Sequence, residues 1–149
     1  METLIQSLKQ LQADVATMYS QAHGYHWNVE GILFTQYHKF FEDIYSDVYD
    51  SIDPISENIR KLGGYAQFSL HEWANTSKIT NVMPENTSPL DMTKHLVESN
   101  NVVLTDLLEA FALADEANEQ GVANFLAERI DKHQFWNWWL TSSLKNSIG

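Results

Sequence analysis

The chain has 149 residues, 9 basic against 20 acidic side chains for a formal net charge of −11, and no cysteine. That length suits one domain over residues 1–149 with room for a substantial core. Lack of cysteine excludes disulfides, thiolate zinc sites and cysteine nucleophiles, and the acidic balance disfavours nucleic-acid binding, which needs clustered Lys and Arg.

The hydrophobic pattern is helical almost throughout. Leu4, Leu8, Leu11, Val15, Met18, Tyr19, Ala22 and Tyr25 recur at three- and four-residue steps and predict a first helix over residues 3–28. Glu30-Gly31 breaks it. Phe34, Phe41, Ile44, Tyr45, Val48, Ile52, Ile55, Ile59 and Leu62 predict a second, which Gly63-Gly64 ends as a left-handed cap. Residues 65–87 are polar, with a short helix expected over Leu70–Asn75. Ser88 as N-cap and Pro89 at the first helical position start a third long helix, which runs through Phe111 to Asn118. Gln120-Gly121 punctuates, and a fourth long helix covers Val122–Leu144. The expected fold is all-α: a four-helix bundle with one long crossover connection. No apolar run approaches the ~20 residues that cross a bilayer. Met1-Glu2-Thr3-Leu4 leads into an amphipathic pattern and not a signal peptide, so a soluble cytoplasmic protein is expected.

Pro54 interrupts the second helix, where proline costs about 3 kcal/mol. Read locally, Asp53 would be an N-cap and Pro54 the first residue of a new helix. Read globally, a continuous or kinked helix still presents Asp53 and Glu57 together.

The chemistry is concentrated in His26, His38-x-x-x-Glu42 and Asp53-x-x-x-Glu57. The i,i+4 spacing puts each of the last two pairs on one helix face. Nitrogen and carboxylate donors together suit iron, zinc or manganese. At ~100° per residue, His38, Glu42, Asp53 and Glu57 fall within roughly a 100° arc of one continuous helix, yet Glu42 and Asp53 lie about 16 Å apart along its axis. No single ion spans that gap. A second copy packed antiparallel about a two-fold axis near residue 47 or 48 would bring His38 and Glu42 of one chain to Asp53 and Glu57 of the other, giving two equivalent sites. The four remaining histidines, His23, His71, His95 and His133, read as surface or hydrogen-bonded core residues. Bundle-core metal sites use Glu-x-x-His. No histidine here has that glutamate: the residues three before are Ser20, His23, Thr35, Phe68, Met92 and Ile130. The intersubunit arrangement gains accordingly.

His26-Trp27-Asn28-Val29-x-Gly31, His38-x-x-Phe41-Glu42, Asp53-x-x-x-Glu57 and Leu62-Gly63-Gly64 resemble the Dps proteins, the mini-ferritins. The resemblance covers essentially the whole chain, the short middle helix and Asp131-Lys132 included. It implies a ferritin-like fold and a hollow shell of twelve subunits built from two-fold dimers. It implies ferroxidase centres in which His26, His38 and Glu42 come from one subunit and Asp53 and Glu57 from its partner. It further implies oxidation of Fe(II), by hydrogen peroxide in preference to oxygen, with storage of Fe(III) and protection from oxidative damage. Zinc would be a substitute metal. Trp27 resembles the tryptophan beside such centres, with interface packing as its plainer role. Asp115, Glu116, Glu119 and Glu128, near the last interhelical connection, are candidates for acidic pores admitting iron.

Four features depart from the family. Glutamate replaces the frequent aspartate at Glu42; Pro54 lies in the ligand-bearing segment; Phe135-Trp136 shifts a tryptophan by one position; and the lysine-rich tail of DNA-binding members is missing. The aromatic cluster of Phe135, Trp136, Trp138 and Trp139 reads as core or subunit contact. The competing readings are a DNA-binding nucleoid protein, against which the charge argues, and a structural shell whose sites hold zinc or nothing.

Overall fold

In the computed structural model, which describes residues 1–81 and 88–145, five helices follow one another: α1 (Glu2–Asn28), α2 (Phe34–Lys61), α3 (Leu70–Thr76), α4 (Pro89–Glu116) and α5 (Gln120–Ser143). Four long helices with a short one in the crossover match the expected ferritin-like architecture, and no strand occurs among the described residues. Residues 82–87 of the predicted polar connection lie outside them. The apolar stripes close on one core, where Leu8, Leu11, Met18, Phe41, Ile44, Val48, Leu96, Val103 and Leu126 are fully buried. α1 packs on α2 and α4, and α4 on α5. One end of the bundle brings Gly31–Leu33, Ser88–Leu90 and Ser142–Ser143 round a shared cleft, so α2 and α4 start at that end and run the same way. That is why the connection between them must cross the whole bundle.

Helix ends follow local chemistry. Gly63 takes φ +95° while the amides of Gly63 and Gly64 return to the carbonyls of Arg60 and Ile59, at 3.0 Å each. Gly64 is required for space: a Cβ there would lie 2.8 Å from the Ile5 side chain. The turn before α5 differs from expectation. Asn118, at φ +58°, is the left-handed residue, and Gly121 lies inside α5. Asparagine tolerates that conformation, so the break falls three residues before the glycine. Phe34, expected on the apolar stripe of α2, is 40% exposed.

Pro54 does not split α2, whose N-cap is Leu33. Asp53 is therefore a mid-helix residue and not a cap. The neighbouring side chains bond to the helix's own carbonyls: Ser51 to Val48 (2.7 Å), Ser56 to Ile52 (2.8 Å) and Asn58 to Pro54 (2.9 Å).

Two polar networks lock the helices together. Arg129 of α5 grips Asp47 of α2 through two bonds of 2.9 Å, and the Trp136 indole donates to the same carboxylate at 2.8 Å. Burial alone would raise the Asp47 pKa; hydrogen bonds and charge from Arg129, with Trp136, hold it below its usual value. Arg129 also donates to Nε2 of His133 at 2.7 Å. Asn100 of α4 meets the His133 ring at 2.9 Å and its carbonyl at 2.8 Å. Burial, then the Arg129 charge, pushes His133 down to about 3, so its imidazole stays neutral and accepts from Arg129. His133 is the hydrogen-bonded core residue the sequence suggests.

The second network ties α1 to the crossover. Asp14 accepts from the Ser77 hydroxyl (2.8 Å) and the Lys78 amide (2.7 Å), and Lys78 Nζ reaches Asp106 of α4 at 2.6 Å. The other oxygen of Asp106 is buried with no donor, beside the Asp14 carboxylate, so Asp106 holds its own proton more tightly than a solvated carboxyl does. Burial first, then Asp14, raises Asp106 to about 8 against the pull of Lys78.

Two outcomes are expected. Asp47→Ala leaves a guanidinium only 12% exposed without its carboxylate, and should cost about 3–5 kcal/mol in chemical denaturation. Asp106, with a folded pKa above the ordinary 3.8, takes up a proton on folding. Its contribution is complete below about pH 4 and is lost as pH rises to about 8. Asp106→Asn should therefore flatten the fall in unfolding midpoint across that window.

Candidate metal centre

His26 ends α1 and His38 lies in the second turn of α2, so the short turn at Val29–Leu33 folds the two back on each other. Their rings stack at 3.7 Å with planes 15° apart. Each Nδ1 reaches the backbone carbonyl of the other residue: His26 to His38 at 2.7 Å and His38 to His26 at 2.6 Å. A carbonyl only accepts, so both Nδ1 atoms carry hydrogen. In the neutral rings both Nε2 atoms then keep a free lone pair, the tautomer a metal requires. Phe34 stacks on His38 at 4.8 Å and Tyr45 stands edge-on to His26 at 5.2 Å, so aromatic walls fix the ring planes.

Glu42 follows one turn after His38 and is 42% exposed. Lys39 is committed to Asp43 at 2.9 Å and touches Glu42 only at 3.5 Å, leaving the Glu42 carboxylate largely uncompensated. Asp53 and Glu57 are both exposed on the same helix. Because α2 is unbroken, the 11 residues from Glu42 to Asp53 span about 16 Å. Among the described residues, no three His, Asp or Glu side chains gather where one chain alone could hold an ion. The chain therefore brings His26 and His38 together, sets Glu42 one turn beyond His38 on α2, and keeps Asp53 and Glu57 apart from them.

Around Asp53 the surface is apolar and concave. Tyr49, Phe68 and Leu70, exposed by 56%, 84% and 79%, border a cleft of about 880 Å³ with Asp50 and Asp53. Trp27, 65% exposed, stands next to His26. Large exposed aromatics on both halves of a ligand set mark a face that something covers. The proposed pore residues lie elsewhere: Asp115, Glu116 and Glu128 are exposed and Glu119 is the N-cap of α5, all about the α4–α5 turn.

The sequence reading missed an aromatic cluster behind the histidines. His23 stacks on Tyr45 at 3.9 Å and lies 4.1 Å from Trp27. Its Nδ1 shares a 2.8 Å hydrogen bond with the Tyr19 hydroxyl. Burial, helped by Tyr49 and Tyr45, raises the Tyr19 pKa, while burial and then His26 lower that of His23. The i,i+4 spacing of Tyr19 with His23 and of Tyr45 with Tyr49 is the signal that could have found it.

Fold and histidine turn together define a ferritin-like protein, and the ferritin-like domain model matches residues 5–147. General stress protein 20U of Bacillus subtilis is 28% identical over 96% of this chain and 98% of its own. The DNA protection during starvation protein of Helicobacter pylori is 26% identical over 92% and 95%. The Dps protein of Vibrio cholerae O1, described as one of the ferritin-like diiron-carboxylate proteins, superposes with a TM-score of 0.92 at 26% identity, covering 97% of this chain and 90% of its own. The chain belongs to the Dps family of ferritin-like proteins.

Proposed function

We propose that this protein oxidises Fe(II) with hydrogen peroxide at centres shared between two subunits and stores the Fe(III) inside a hollow oligomer of twelve. The observation that carries the reading is the reciprocal clamp between His26 and His38. It spends both Nδ1 atoms on backbone and leaves both Nε2 atoms free, with His26 buried, His38 half-buried and Glu42 one turn further along α2. The remaining oxygen donors, Asp53 and Glu57, come from a two-fold partner whose α2 runs antiparallel.

At such a centre Fe(II) is the substrate. Carboxylates neutralise the incoming dication and favour Fe(III), the harder ion, while imidazole supplies nitrogen donation. Two Fe(II) ions give the two electrons that peroxide needs, and two protons complete two waters. The aromatic walls about His26 and His38 fix donor positions before the ion arrives. Ions approach past Asp115, Glu116, Glu119 and Glu128, drawn by a chain of net charge −11. The same charge disfavours DNA as a partner, and the compartment that fits the reading is the cytoplasm.

Peroxide-dependent Fe(II) oxidation, followed by the rise of Fe(III) absorbance in the assembled protein, should be fast in the parent. It should fall at least ~100-fold in a chain carrying both His38→Ala and Asp53→Ala. Parental rates in that double variant would remove the assigned centre. The shared geometry makes a sharper expectation. His38→Ala and Asp53→Ala chains, each inactive alone, should regain about a quarter of parental rate when refolded together in equal amounts, because half the dimers then hold one intact site of two.

A further inference from the structure

We propose that Tyr19 and His23 form a redox-active pair that takes up single oxidising equivalents released at the neighbouring iron centre. This rests on the peroxide-using reading of that centre. The path is continuous: Tyr45 stands edge-on to His26 at 5.2 Å and stacks on His23 at 3.9 Å with planes 14° apart. Tyr19 follows, 6.2 Å from Tyr45 and 5.0 Å from Tyr49 between ring centroids.

A phenol gives up an electron readily only if its proton leaves with it. Most aromatic clusters provide no acceptor for that proton. Here the Tyr19 hydroxyl lies 2.8 Å from Nδ1 of His23. In the tautomer carrying hydrogen on Nε2, the phenol donates along that bond and its proton moves to Nδ1 as the electron departs. The neutral imidazole is a ready acceptor because no carboxylate claims its Nδ1. Trp27 differs: it packs on His23 at 4.1 Å and is 65% exposed, and no hydrogen bond from its indole is made within the described residues.

The need arises when a centre holds one Fe(II) in place of two. Peroxide requires two electrons. One comes from the iron, which becomes Fe(III) as the O–O bond breaks, and one from Tyr19. Peroxide, Fe(II) and the phenol become Fe(III), hydroxide, water and a neutral tyrosyl radical, with the phenolic proton passing through His23 into the water. A second Fe(II) later returns an electron to the radical, and a proton from water, relayed through His23, restores the phenol. No hydroxyl radical leaves the centre.

Two arms test the pair in the assembled protein. Less than one Fe(II) per centre is loaded without oxygen, mixed with peroxide and frozen for electron paramagnetic resonance. Separately, a soluble ruthenium photosensitiser oxidises the iron-free protein by flash. The parent should show a neutral tyrosyl radical in both arms. Tyr19→Phe should lose it, and His23→Gln should lower its yield about tenfold or more and abolish its hydrogen–deuterium isotope effect. Tyr65→Phe, an exposed tyrosine stacked by Arg60 at 4.4 Å, should change neither arm. A parental signal in Tyr19→Phe or His23→Gln, or a radical from the flash and none from peroxide while iron is oxidised, overturns the proposal. A flash radical that depends on Tyr19 and His23, in a protein that does not oxidise iron, upholds the redox pair and overturns the iron reading instead.

Discussion

Everything about the centre depends on the length of α2. A helix is the stiffest way to hold two side chains apart, and from Phe34 to Lys61 it holds Glu42 and Asp53 at a separation fixed by its rise. Had Pro54 broken the helix, no fixed rise would hold Asp53 and Glu57 away from His38. Proline removes one hydrogen-bond donor from the ladder but leaves the turns on either side. Buried Ile55 and Ile59 beyond it, with Val48 and Ser51 before it, keep both segments seated on the same core. Tertiary packing thus overrides a local preference worth about 3 kcal/mol.

Register is the second requirement, because a bundle of apolar stripes alone tolerates sliding. Asp47 lies between the two halves of the ligand set, and it is the residue that Arg129 and Trp136 of α5 seize. Through His133 and Asn100 the same network reaches α4. A slip of α2 by one turn would part the Asp47 carboxylate from both the Arg129 guanidinium and the Trp136 indole, at several kcal/mol. On the opposite side, Gln12 of α1 bonds Ser56, set between Asp53 and Glu57, and the Gln67 carbonyl of the crossover, at 2.7 and 3.0 Å. The ligand-bearing helix is therefore fixed from both flanks by polar groups whose geometry is directional, where apolar contact is not.

Much of this was legible in the residues. Periodicity placed the long helices within a few positions of their ends, and Ser88-Pro89 marked the start of α4. The His38, Glu42, Asp53 and Glu57 arc needed only the pitch of a helix. What escaped were features that sequence distance conceals. Nothing in the local pattern says that Asn118 and not Gly121 turns the chain, since either residue can adopt a positive φ. The Nδ1-to-carbonyl clamp of His26 and His38 requires two helix ends to meet at a turn, which spacing cannot show. Tyr19, His23 and Tyr45 were visible as aromatic residues at helical spacing, but such stripes are ordinary core. Only the 2.8 Å bond between a phenol and an imidazole separates this one from packing. Asp14 and Asp106, 92 residues apart, could be paired only once α1 and α4 lay side by side.

The two halves of the proposed ligand set differ in a way that bears on how pairing of subunits and metal binding would be coupled. The histidines are already in final form: stacked, tautomer-fixed and walled by aromatics, so little ordering remains when an ion binds. Asp53 and Glu57 are solvated, and in water their charges cost little. Covering them with the apolar face that carries Trp27 removes that water, and the proposed two-fold contact would then bury carboxylates beside the acidic Glu42. A cation reverses the sign of that cost. Assembly and cation binding therefore strengthen each other: whatever binds the paired state better than the separate chains shifts the equilibrium toward pairing. An acidic chain with this arrangement would close the proposed interface most firmly when the cation is present.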